Sequence, residues 1–203
     1  MALELITDAA IEPILYQNVI DHLRINPFDE EIDEASIAYI ETLIRAVRND
    51  VETFTSRSLI TQTWRLYLDA FPGESYIEIP KPPLQTISSV KYIDSDGTET
   101  PMVLTTDYLV DSVSKESSRC GRIVLPYSGS WPSATLHPVN PIVIEFVCGY
   151  GLLAEDVPKR IIQAMLLEIA SLYENRETII VGKTIQRLDV YERLLWPFRV
   201  KVV

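Results

Sequence analysis

The sequence predicts a mixed α+β fold: a helical core of two long packed helices plus short terminal helices, with an inserted antiparallel β module. Three observations carry that expectation. Two amphipathic stripes with helical spacing lie far apart, over residues 34–55 and 157–175. Nine of the 13 prolines fall between them, where no helical stripe survives. The same middle stretch holds short β-branched runs with no crossover helix between them, which argues antiparallel pairing.

Taken in order, a short helix is expected over Gln17 to Leu23, after Glu12-Pro13. Residues 29–34 place five acids in six positions and read as a solvated connection ending in a helix cap, with Asp33 as N-cap, rather than as a metal site. From Glu34 to Thr55, Ile37, Ile40, Leu43, Ile44, Val47, Val51 and Phe54 share one stripe, and Glu34 suits the helix dipole. Strands are expected at Thr63–Leu68, Tyr76–Ile79, Ser89–Ile93, Tyr108–Val110, Arg122–Leu125 and Ile142–Val147. Asp94-Ser95-Asp96-Gly97 lacks the later acidic ligand of a calcium loop, so it predicts a hairpin turn. From Val157 to Asn175, Ile161, Ile162, Met165, Leu166, Ile169, Leu172 and Tyr173 share a face, with Asp156 as cap and Pro158 in the first turn. Pro197 stops any helix near the end, and an extended tail follows. The division expected is one domain, 1–203, with an N-terminal helical part over 12–57, the β module over 58–151, and a helix with tail over 152–203.

Composition narrows the function. Hydrophobic residues at 47% and charged residues at 23% exclude wholesale disorder. Eighteen basic against 29 acidic side chains give a net charge of −11, which argues against a protein that grips phosphate backbones. Cys120 and Cys148 form no CxxC pair and read as buried thiols, and neither they nor His22 and His137 have the spacing of a zinc site. The first residues lack a signal-peptide pattern, and no apolar run reaches the ~20 residues of a membrane span, so a soluble, unexported protein is expected.

Enzyme signatures fail one by one. Gly182-Lys183-Thr184 ends like a phosphate loop, but Glu177 stands where that loop needs glycine. Gly129-Ser130-Trp131 is not a nucleophile elbow, and two histidines leave few ways to build a triad. No catalytic, metal or cofactor residues are assigned, and the expectation is a protein that is not an enzyme.

An ordered set of short segments spans residues 12–199. It begins with Glu12-Pro13, His22-Leu23-Arg24-Ile25 and Phe54-Thr55-Ser56-Arg57-Ser58-Leu59-Ile60-Thr61-Gln62-Thr63-Trp64. It continues through Pro80-Lys81-Pro82-Pro83-Leu84, Val90-Lys91-Tyr92-Ile93-Asp94 and Phe146-Val147-Cys148-Gly149-Tyr150-Gly151. It closes with Tyr173-Glu174-Asn175-Arg176-Glu177 and Leu194-Leu195-Trp196-Pro197-Phe198-Arg199. In this order the set resembles the head–tail connector, or adaptor, family of long-tailed bacteriophages and prophages. Within it Trp64 opens the β module and Tyr173 completes a stripe. Asn175 and Arg176 stand where a helix end wants a left-handed residue and a cation. One departure is Ser56, where similar proteins usually have glycine.

The resemblance implies a structural virion protein. It would form a ring of copies beneath the portal protein, extend the DNA channel, and join head to a stopper or tail-completion protein. Its location would be the virion neck, with assembly in the bacterial cytoplasm, no membrane and no cofactor. Net acidity suits a channel wall that lets DNA pass without tight binding. The tail supplies the candidate interface, Trp196, Phe198, Arg199, Val200, Lys201 and Val202, where apolar and basic residues alternate as in an edge strand. Two rivals remain: another neck component, such as a stopper or tail-terminator, and a small regulatory or ligand-binding module.

Overall fold

The computed structural model describes residues 1–25, 34–113, 115, 117–175 and 189–200. Eight strands are described: β1 (Ala2–Thr7), β2 (Gln62–Leu68), β3 (Tyr76–Ile79), β4 (Leu84–Ile93), β5 (Glu99–Pro101), β6 (Leu109–Asp111), β7 (Gly121–Val124) and β8 (Ile142–Cys148). They form two antiparallel sheets, one in the order β1-β2-β8-β4-β5 and one in the order β3-β7-β6. Period-2 alternation sets the central strand: Ile142, Ile144, Phe146 and Cys148 of β8 are fully buried, while Glu145 turns out to meet Arg65 at 3.0 Å. Leu66, Ile77, Ile79, Val90 and Ile123 join them in the core of the β layers.

The helices are α1 (Tyr16–Leu23), α2 (Glu34–Thr55), α3 (Lys159–Glu174) and α4 (Asp189–Leu195). Their stripes meet in a second core: Val19 and Ile20 of α1, Ile40, Ile44, Val47 and Val51 of α2, Ile161, Met165 and Ile169 of α3, and Leu195 of α4. The hairpin between β4 and β5 turns on Gly97, at φ 82°, and the Asp94 carboxylate accepts from the amides of Asp96 and Thr98.

The chain is mixed α and β, but the expected core of two long helices around one inserted β module is overturned. Among the described residues there are four helices, of 8, 22, 16 and 7 residues, and their core needs contributions from all four. The β structure is two sheets, and it is not wholly an insert, because β1 comes from the chain's first residues and forms an edge strand on β2. All six residues of β1 are exposed, so no burial contrast separates its two faces. Asp156 caps a 3-10 turn, Ala154–Asp156, accepting from the Leu153 amide, and the N-cap position of α3 is Pro158. Asp33 and the acidic run before it lie outside the described residues, as does Gly182-Lys183-Thr184.

A buried polar network fastens the helices to the larger sheet. Arg48, 3% exposed, donates to both carboxylate oxygens of Asp8 at 3.3 Å. Its Nε lies 3.3 Å from Glu12 Oε2, an ion pair without hydrogen-bond alignment. Glu52, 7% exposed, accepts from the Leu59 amide at 2.8 Å and from Gln62 Nε2. Gln62 Oε1 in turn accepts from Ser58 Oγ and Trp64 Nε1, both at 2.9 Å. Burial pushes the Glu52 carboxyl above the ordinary carboxylate range, against the pull of the Leu59 amide, Arg48 and Gln62.

That upward shift fixes the sign of a pH effect. A carboxyl whose pKa is raised on folding stabilises the fold below its unfolded pKa and loses that contribution as pH rises through the folded value. Urea unfolding of the parent and Glu52→Gln, compared from pH 4.5 upward, is therefore expected to show the parent losing stability relative to the variant as pH rises. A difference that is flat with pH, or of opposite slope, contradicts the shift.

Candidate functional site

The C-terminal segment is built from α4 outward. Leu195 is fully buried among the helices, and Pro197 turns the chain into a 3-10 turn, Trp196–Phe198. Phe198 packs half-buried on the helical core, and Val200, 4% exposed, donates its amide to the Thr55 carbonyl at 3.0 Å. Over the described residues the expected extended tail opens with a tight turn, and Phe198 and Val200 face their own subunit. Trp196 (60% exposed) and Arg199 face outward, with the Arg199 guanidinium 5.5 Å from the ring centres of both Trp196 and Phe54. Lys201 and Val202 lie outside the described residues.

Trp196 borders a shallow cleft of about 540 Å³ with Arg160, Glu192, Arg193 and Pro197. Arg160 Nη2 donates to the Arg193 carbonyl at 3.1 Å, which ties α3 to the end of α4. Arg160, Arg193 and Arg199 therefore surround an exposed tryptophan on a chain of net charge −11. An indole beside guanidinium groups offers an apolar anchor and fixed donors, a pairing enriched where proteins meet.

One residue holds this segment in place. Arg57 is fully buried just past the end of α2. Its Nε donates to the Phe198 carbonyl, its Nη1 to the Lys115 carbonyl at 3.4 Å, and its Nη2 to the Ser117 carbonyl. Burial lowers its pKa from the ordinary guanidinium value, with Tyr150 acting in the opposite sense. Ser56 stops α2 in the left-handed region at φ 56°, the conformation for which glycine would be the easier residue. Nothing in the sequence assigns Arg57 a role. A lone arginine after a helix stop carries no periodic signal that separates burial from exposure.

Three of the four motif residues lie among the described residues. Trp64 sits in β2 with its ring beneath Lys81 Nζ, 5.2 Å from the centroid. Tyr173 lies 6.2 Å, centre to centre, from Tyr39 across α3 and α2. Asn175 ends α3 without the expected left-handed turn: at φ −111° it caps instead through Nδ2, which donates to the Ser171 carbonyl at 2.9 Å. Arg176 lies outside the described residues. Among the described residues no cluster of three or more His, Cys, Asp and Glu side chains is placed to hold a metal ion. No described helix is long and apolar enough to cross a membrane.

No protein-family model matches the chain, and no curated protein matches it by sequence. Its fold is shared with solved structures along its whole length. One is a chain of the neck of an empty gene transfer agent particle, computed with C6 symmetry, at 23% identity and TM-score 0.79 over 100% of this chain and 97% of the other. A chain from the virion of a native gene transfer agent particle gives 22% identity and TM-score 0.79 with the same coverage. A third, from the neck of a native particle computed with C12 symmetry, gives 21% identity and TM-score 0.68, again over 100% and 97%. These likenesses establish the fold.

Proposed function

We propose that the chain is a structural subunit of a phage-type virion neck, a connector that assembles as a ring beneath the portal, extends the DNA channel and joins head to tail. The observation that carries this reading is the end-to-end fold likeness to chains in particle necks, with 100% of this chain covered. Necks described with C6 and C12 symmetry are repeating assemblies, and a subunit that shares the fold is read as repeating in the same way. The net charge of −11 fits a wall past which DNA moves without adhering.

Within this reading the docking surface toward portal or a neighbouring copy is the exposed face of the C-terminal segment. Trp196 is its anchor, and Arg160, Arg193 and Arg199 meet acidic or carbonyl groups on the partner. Trp196→Ala combined with Arg199→Ser tests it in a portal-capture assay. Binding is expected to fall at least about tenfold, the equivalent of ~1.4 kcal/mol, with thermal unfolding unchanged, because both side chains face solvent. Unaltered capture overturns this placement of the surface.

A further inference from the structure

The two sheets share one core but are unequal, with five strands against three. Leu3 of β1 pairs with Leu66 of β2, and cross-strand partners share a face. Leu66 is fully buried on the core face, so Leu3 carries that apolar face one strand further, yet it is 37% exposed. Among the described residues β3 pairs only with β7 and is therefore an edge of the smaller sheet. A groove of about 710 Å³ is lined by Leu3 and Leu68 from the larger sheet and by Tyr76, Ile77 and Glu78 from β3.

The pairing of β3 fixes which groups it offers. The Leu125 amide donates to the Ser75 carbonyl at 2.8 Å, and Ile77 pairs with Ile123. Alternate residues of an antiparallel strand turn their main-chain groups to the same neighbour. Those of Ser75, Ile77 and Ile79 thus face β7, and those of Tyr76 and Glu78 face away from it. Side chains alternate as well: Ile77 and Ile79 are buried on the inner face, while Tyr76 and Glu78 share the outer face with Arg122, the cross-strand partner of Glu78. Glu74 and Glu78 both line the groove. The cations beside them are already engaged, Arg122 with Asp111 at 2.7 Å and the Lys81 ammonium over the Trp64 ring.

We propose that this groove docks an extended segment of a partner protein in which apolar and basic residues alternate, added as a further strand along the β3 edge. The main-chain groups of Tyr76 and Glu78 supply its ladder. Its inward side chains are apolar, because they continue the inner face of β3 over Leu3 and Leu68. Its outward side chains are lysine or arginine, because they stand beside Glu74 and Glu78, and opposite charges on neighbouring strands attract. An acidic segment would meet like charge there. The site uses none of Arg160, Arg193, Trp196 and Arg199, and it does not rest on the ring reading.

Cys120 lines the groove and provides the readout, since Cys148, the other cysteine, is fully buried. The full chain is alkylated with iodoacetamide in the presence of a capped synthetic peptide of alternating valine and lysine, with a valine–glutamate peptide as control. At about 1 mM, the lysine peptide binding with a Kd of about 0.1 mM is expected to slow Cys120 roughly tenfold by mass action, and the glutamate peptide to leave it unchanged. Glu74→Gln combined with Glu78→Gln, both exposed positions, is expected to remove most of that protection without altering the rate in the absence of peptide. Two further lysine peptides, N-methylated at every valine or at every lysine, separate strand addition from simple charge attraction. One of them is expected to lose protection, because a strand turns alternate amides to its neighbour. Equal protection by the lysine and glutamate peptides, protection by neither, or protection indifferent to both N-methylations overturns the proposal. So does a Cys120 rate that falls with protein concentration alone, which would place a second copy in the groove.

Discussion

Arg57→Met is expected to lower unfolding stability by about 3–5 kcal/mol. The methionine fills much of the same space and removes the five donors. Three main-chain carbonyls, those of Phe198, Lys115 and Ser117, then lose their partner in a place where Arg57 itself is fully buried. A buried acceptor left unpaired costs its whole desolvation, which exceeds what the bond contributed net. Arg57→Lys is expected to recover little, since one ammonium on a flexible stem cannot serve three carbonyls fixed by a planar fork. Urea unfolding measures the loss, and hydrogen exchange locates it. The Val200 amide, bonded to Thr55, should exchange faster in the variant because the segment is released with the guanidinium. A loss below about 1 kcal/mol, typical of an exposed polar residue, contradicts the clasp.

Gly149→Ala is expected to cost roughly 3 kcal/mol or more. Gly149 sits at φ 119°, a region that L side chains rarely adopt, as the chain leaves β8. A Cβ there would lie 2.4 Å from the Ile60 carbonyl oxygen, 2.6 Å from its carbon and 2.8 Å from the Thr61 nitrogen. All three are backbone atoms, and the surroundings are cross-tied. Gly149 donates to the Pro83 carbonyl, Tyr150 to Leu59, and Thr61 to Gly151. Strain and clash therefore add, with no flexible side chain to yield. Thermal unfolding checks it. A parent-like midpoint would show that the strand exit relaxes in a way these hydrogen bonds forbid.

Sequence legibility followed periodicity. The stripe ending at Thr55 was readable because its apolar face is continuous and buried, and β8 because its alternation is strict. The strand β1 was not, since six exposed residues carry no in–out contrast and its pairing with β2 bridges some 60 positions of sequence. The expected core of two long helices plus short terminal ones understates α1 and α4, because the burial of helices only eight and seven residues long depends on what they meet. At the candidate surface, the tail's apolar run was visible, but its direction was not. Pro197 predicts a stop before an extended tail, whereas it sits in a 3-10 turn, after which Phe198 and Val200 are turned inward. Arg160 reaches Arg193 across 33 positions, and Arg57 reaches Phe198 across 141, so neither tie leaves a local trace. Spacing arguments reach the residues that share an element; they do not reach those that tertiary packing brings together.

The proposed function requires copies of this chain to form a ring on a portal. Electron microscopy of the purified protein mixed with the portal of the phage or prophage that carries it tests that claim most directly. Class averages are expected in which a symmetric ring of added density caps one end of the portal and continues its channel. Portal particles without added density, at protein concentrations where the chain stays monomeric, would contradict it.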